Sequence, residues 1–194
     1  MPRRQTSIPT KQQLDLLTHE EFNELNDDFN YNSEFQSAGF VDYNNSSGTV
    51  SLAADTWTDL PNDAAGAFTN TDYPPTDIGG LDLIDTSNGY LDFSDLDLGS
   101  QLIIRSDVTV TPQTNNALFQ MRYLLGSGAG EYQLLFLSER LDSGSGLDYQ
   151  RVIPFPIYMG DTNTRDNAGR LQAKLSTAGT ITNAGIYISI LERS

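Results

Sequence analysis

Hydrophobic and polar positions follow different rules in the two parts of the chain. From Thr49 onward, short runs of β-branched and aromatic residues alternate with polar ones at a period of two, as in half-buried strands. The strongest runs are Leu102 to Thr111, Ala117 to Leu125, Tyr132 to Leu137, Arg151 to Tyr158, Leu171 to Leu175 and Ile181 to Leu191. Thr49 to Leu52 and Thr56 to Leu60 open the series. The runs are separated by segments rich in Gly, Asn, Asp and Ser, such as Gly126 to Gly130 and Asp161 to Asn167. Such residues supply turns between antiparallel strands. No amphipathic helical window of crossover length follows residue 45, which argues against a parallel sheet. These features predict an all-β, antiparallel jelly-roll sandwich over residues 46–194.

Residues 1–45 lack that alternation and are rich in Asn, Asp, Gln, Glu and Ser. Thr18 and Glu21 have the spacing of a capping box, and Phe22 and Leu25 fall on one face of the turn that follows. This predicts a short helix near 19–26, too short to persist alone in water. Phe29, Tyr31, Phe35, Phe40 and Tyr43 then punctuate polar chain. Aromatic rings spaced along a polar strip suit a segment that docks, each ring filling a small pocket. Residues 1–45 are therefore read as an extended N-terminal attachment arm containing one short helix. Arg3, Arg4, Lys11, Phe22, Leu25, Phe29, Tyr31, Phe35 and Phe40 are its candidate contact residues. Fully extended, it would reach more than about 100 Å at ~3.3 Å per residue.

Charge sharpens this division. The 194 residues carry a net charge of −15, and the first eleven hold Arg3, Arg4 and Lys11 with no acid. Between Gln12 and Ile104 there is no Lys or Arg, whereas cations and carboxylates balance from Arg105 onward. Nucleic-acid binding needs clustered cations to neutralise phosphates, so no nucleic-acid partner is expected. No run approaches the ~20 apolar residues of a membrane helix, and no apolar stretch follows Arg3 and Arg4 as a secretory signal requires. No membrane partner is expected either.

Candidate chemistry is sparse. The chain has no cysteine, which removes disulfides and thiolate sites. Its one histidine, His19, lies inside the capping-box pattern and has no nucleophile elbow to serve. Gly126 to Gly130 lacks the lysine and helix of a phosphate loop and reads as a hairpin connection. Asp95 and Asp97 resemble the start of a calcium loop, but position 5 is Gly99 and the bidentate glutamate is missing. With Asp82, Asp85 and Asp92 they read instead as the wet positions of strands. Trp57 reads as a core residue. No enzyme activity, cofactor or metal is expected.

Three segments carry a resemblance. Ala-Ala-Asp-Thr-Trp-Thr-Asp-Leu-Pro-Asn-Asp at 53–63, Leu-Asp-Phe-Ser-Asp-Leu-Asp-Leu-Gly at 91–99 and Ile-Tyr-Met-Gly-Asp-Thr-Asn-Thr-Arg at 157–165 resemble small β-sandwich virion proteins of tailed phages and prophages. The ending Ala-Gly-Ile-Tyr-Ile-Ser-Ile-Leu at 184–191 is similar to the last strand of trimeric jelly rolls of the tumour necrosis factor and complement head type. That resemblance implies a homotrimer with the last strand near the threefold axis. One face of this strand presents Ile186, Ile188 and Ile190; the other presents Tyr187, Ser189 and Leu191, the candidate trimer-interface residues. With the arm, the resemblance implies a capsid decoration (cement) protein on the outer surface of a phage head. Its partner would be the major capsid protein. The alternative is a tail-tip or head-fibre knob holding a host receptor or glycan in loops such as Asn62 to Asn88.

Overall fold

The computed structural model describes residues 37–76, 81–142 and 145–193. They form twelve strands: β1 (Ala38–Asn44), β2 (Thr49–Leu52), β3 (Thr58–Asp59), β4 (Asn70–Tyr73), β5 (Ile84–Asp85), β6 (Tyr90–Leu91), β7 (Gln101–Pro112), β8 (Ala117–Leu125), β9 (Tyr132–Leu141), β10 (Tyr149–Tyr158), β11 (Arg170–Leu175) and β12 (Gly179–Leu191). A single helical turn, α1 (Thr162–Arg165), precedes β11 and is capped by Asp161, whose carboxylate accepts the Thr164 N–H at 2.8 Å.

The first sheet has the order β10-β7-β12-β1-β4, with β2 pairing the other half of β12. The second sheet runs β3-β11-β8-β9, and β5-β6 form a separate hairpin. All named pairings are antiparallel. The result is an antiparallel, jelly-roll-like sandwich.

Alternation decides which side of each strand is buried. In β8 the odd positions Ala117, Phe119, Met121, Tyr123 and Leu125 are fully buried. In β7, Leu102, Ile104, Val108 and Val110 turn inward against them. Each such Phe or Leu contributes about 1.5–3 kcal/mol by leaving water. Ser106 is the polar exception on that face, and it is satisfied across the core by the Tyr123 hydroxyl at 2.9 Å. At the β9/β10 side, Tyr123 stacks on Phe136 at 4.8 Å and Phe136 meets Phe155 at 5.4 Å, joining the two sheets.

The sheet begins earlier than the sequence pattern indicates. The sandwich was expected to start at residue 46, but β1 pairs with β12 from Ala38↔Leu191 to Asn44↔Gly185. Tyr43 is a core residue, and its hydroxyl accepts the Leu83 N–H at 2.8 Å. Buried Asn62 donates to the Tyr43 carbonyl at 3.1 Å and so ties the loop after β3 to the same strand. With only Val41 and Tyr43 pointing inward and fully buried, β1 gives too weak an alternation to stand out in polar chain. The expected helix near 19–26 lies outside the described residues.

Asp85 lies in strand β5 as expected, but the aspartates of 92–97 differ from expectation. Residues 92–99 form turns rather than a strand, with Leu91, Phe93 and Leu96 buried. The carboxylates accept local N–H groups: Asp82 from Ile84, Asp85 from Ser87, and Asp92 from Ser94. Asp85 also accepts the Ser87 hydroxyl, and these bonds hold its carboxyl below the usual range. An aspartate two residues before the N–H that it accepts is a turn-former, which explains the spacing without a metal. No three acidic or histidine side chains gather as a metal site among the described residues. Gly126 to Gly130 joins β8 to β9 as a hairpin connection, in agreement with the sequence.

Candidate functional site

Register fixes which residues share the outer face of the first sheet. One row runs Tyr158, Gln101, Leu191, Ala38 across β10, β7, β12 and β1. The next runs Pro156, Ile103, Ser189, Phe40 and ends at Tyr73 of β4. The third is Pro154, Arg105, Tyr187, Asp42. Side chains pointing away from the core along these rows are mostly apolar. Several stand far into solvent, Tyr158 being 68% exposed and Ile103 51%, and Val152, further along β10 opposite Asp107, is 64% exposed. Between the first two rows lies a groove of ≈ 660 Å³, its floor and rim formed by Ile103, Pro156, Tyr158, Ser189 and Leu191.

This face brings together residues from both groups singled out in the sequence. Tyr187, Ser189 and Leu191 lie on it as neighbours, and Phe40 lies beside them. Phe40 stacks between Tyr187 at 5.6 Å and Tyr73 at 5.2 Å, and the Arg105 guanidinium sits over the Tyr187 ring at 5.2 Å. Phe40 is thus a member of a strand in the sheet, and its ring packs on its own domain. Arg3, Arg4, Lys11, Phe22, Leu25, Phe29, Tyr31 and Phe35 lie outside the described residues.

Electrostatically this face is nearly silent. Arg105 and Asp107 form a two-pronged pair at 3.1 and 3.0 Å. Asp42 is the carboxylate of the third row. Partial burial raises its pKa, Arg105 lowers it, and repulsion from Asp107 adds to the rise.

The outer face of the second sheet has the opposite character, and sequence reading did not single it out. Trp57 is half-buried here rather than in the core, with the Arg122 guanidinium at 4.1 Å and the Lys174 ammonium at 4.9 Å from its ring centre. Arg122 donates to Gln172 at 2.7 Å and to Gln133. Gln172 donates to Asp59 at 2.6 Å, and the Tyr90 hydroxyl donates to the same carboxylate at 2.9 Å, which raises the Tyr90 pKa. Arg170 reaches Glu131 at 3.1 Å and Asp59 at 3.9 Å. These side chains come from β3, β6, β8, β9 and β11 and from the residues just before β3 and β9, so only the folded register assembles them. The residues of Thr56 to Thr58 give no sign of it.

A second concavity, of ≈ 570 Å³, opens among the loops around Thr69, Thr71, Asp72, Asp82 and Thr86. Its hydroxyls and carboxylates are the kind of groups that hydrogen-bond a polyol.

No protein-family model matches the chain, and no curated protein matches it. Similar solved structures include infectious bursal disease virus Gt strain, at 8% identity and TM-score 0.38 over 81% of this chain and 32% of that one. The PRD1 vertex protein P5 is 20% identical, with TM-score 0.36, over 82% of this chain and 99% of that one. Infectious bursal disease virus Gx strain is 9% identical, with TM-score 0.28, over 81% and 57%. The chain therefore spans about a third of the first of these and about all of the second.

Proposed function

We propose that this chain is a non-enzymatic virion structural protein, a capsid decoration (cement) protein on the outer surface of a phage head. The outer face of the first sheet carries this reading. Exposed Ile103, Val152 and Tyr158, a groove beside them and one self-neutralised ion pair make a surface suited to another protein rather than to water. The resemblance of segments 53–63, 91–99 and 157–165 to phage sandwich proteins points to the virion as the place where that protein is met. In this reading the protein self-associates, as a homotrimer, and its amino-terminal segment grips the major capsid protein. Arg3, Arg4 and Lys11 meet acidic shell surface while Phe22, Leu25, Phe29, Tyr31 and Phe35 fill pockets. Several weak arms acting together give avidity that no single contact supplies.

The test is co-sedimentation with expanded, undecorated capsids. It compares the full chain with one that begins at Ser37. The cut is made there because β1 starts at Ala38, and removing residues 1–45 would strip a strand from the sheet. Full-length protein is expected to decorate shells at fixed sites, and the shortened chain to stay free but folded. Equal binding by the two chains refutes the anchoring role of the arm. Binding of the shortened chain to host cells, with no shell binding by either, favours the knob reading. The concavity at Thr69 to Thr86 would then be where a glycan sits.

A further inference from the structure

Strand β10 combines two properties that conflict in an isolated chain. Val152 to Tyr158 is a run of seven consecutive apolar residues, the pattern of a strand covered on both faces, yet β10 stands at the edge of its sheet. Its inner residues Ile153 and Phe155 are only partly covered by the core. Its outer residues Val152, Pro154, Pro156 and Tyr158 are exposed. The free edge is also disarmed. Pro154 and Pro156 pair in register with Arg105 and Ile103 of β7, and proline fits a ladder only where an N–H would point away from the neighbouring strand. Two donors are therefore missing from the open edge, so another strand cannot simply be added there. Whatever covers β10 must do so with side chains.

We propose that β10 is the centre of a contact between copies of this chain, the edge of one copy seated in the outer-face groove of the next. The proposal rests on the self-association put forward above and names its surface, which is β10 rather than β12 alone. Charge identifies the occupant. The chain carries a net charge of −15, so two copies can meet closely only where both lack carboxylates. From Val152 to Tyr158, and along the groove at Ile103, Ser189 and Leu191, there is no ionisable side chain other than the Tyr158 phenol. A charged partner would be left with desolvated, unpaired groups against this strip, whereas a second copy brings an uncharged strip of its own. Tyr158 projects as an aromatic anchor and the adjoining groove of ≈ 660 Å³ offers a receptor.

The experiment is sedimentation of the full chain over a range of concentrations, comparing wild type, Val152→Glu/Tyr158→Glu, Tyr158→Ser alone, and Leu118→Glu/Leu135→Glu on the second sheet. Wild type is expected at a multiple of 21.3 kDa and the β10 double variant at 21.3 kDa, its association weakened by about 100-fold or more. Leu118→Glu/Leu135→Glu should assemble as wild type. Should the double variant misfold by circular dichroism, Tyr158→Ser provides the reading, with weaker association expected. A wild-type oligomer indifferent to the β10 changes overturns the proposal and leaves self-association standing. A wild-type monomer at every concentration overturns both. A monomer whose shell binding is lost with Tyr158→Ser identifies a capsid subunit as the occupant, and the proposal is wrong.

Discussion

Around Trp57, the side chains on the outer face of the second sheet spend their polar capacity on one another. On the outer face of the first sheet, β10 and its neighbours hold little polar capacity to spend. Both faces are amphipathic-strand exteriors of similar construction, so backbone geometry does not separate them. What separates them is who satisfies the surface. Arg122, Gln172, Asp59 and Tyr90 form a chain of hydrogen bonds that is complete in a single molecule and stable facing water. Ile103, Val152 and Tyr158 gain nothing until a second surface removes them from water. Around Trp57 the polar groups are satisfied within the chain, whereas the apolar side chains of the other face are left to water.

Four substitutions probe that contrast. The largest effect is expected at the root of the apolar face: Phe155→Ala removes a ring that holds the two sheets together through Phe136 and should cost about 2–4 kcal/mol in urea unfolding. Next comes Asp59→Ala, which takes away the acceptor of Gln172 and Tyr90 and leaves a nearly buried amide unsatisfied. A loss of about 1–3 kcal/mol is expected. Val152→Ser, on the same strand as Phe155 but on its outer side, should leave unfolding of the isolated chain within about 0.5 kcal/mol. A larger loss would mean that the outer face is already needed for the fold, and the contrast would break.

The smallest effect is at Asp42. Its folded pKa is raised above the unfolded value, so the folded state holds the proton more tightly and stability falls as pH rises through that window. At neutral pH, Asp42→Asn is therefore expected to stabilise slightly and to flatten the pH dependence between the two pKa values. Thermal melts from pH 4 to 7 would reveal it. An Asp42→Asn chain that is less stable than wild type at pH 7 would show that attraction to Arg105 outweighs burial.

Legibility in the sequence followed local alternation. β8 is read with its observed bounds because five buried and four outward positions alternate without interruption. β1 was hidden because its inward residues are few and its outward ones, Asp42 and Asn44, resemble the polar chain before it. β4, Asn-Thr-Asp-Tyr, has no buried residue at all and exists only as an edge on β1. The apolar face was half legible: Tyr187, Ser189 and Leu191 could be grouped from one strand. That Pro156 and Phe40 share a row with Ser189 depends on pairings between strands far apart in sequence. The seven apolar residues of β10 could be recognised as a strand. Its place at an edge could not, since the same run suits a central strand better. Trp57 was misread for a similar reason, as its cations arrive from β8 and β11.

β12 has a consequence for how the protein is made. It sits between β7 on one side and both β1 and β2 on the other, so it is the strand that joins both halves of its sheet. A ribosome adding about 5–20 residues per second has finished β1 about 7–30 seconds before residue 191 appears. During that interval β1, β2 and β7 have no mutual partner, and their unpaired edges are exposed to other nascent chains. Folding of this sheet is thus a late event, closed by thirteen residues. Pairing of such long sequence separation is intrinsically slow to form.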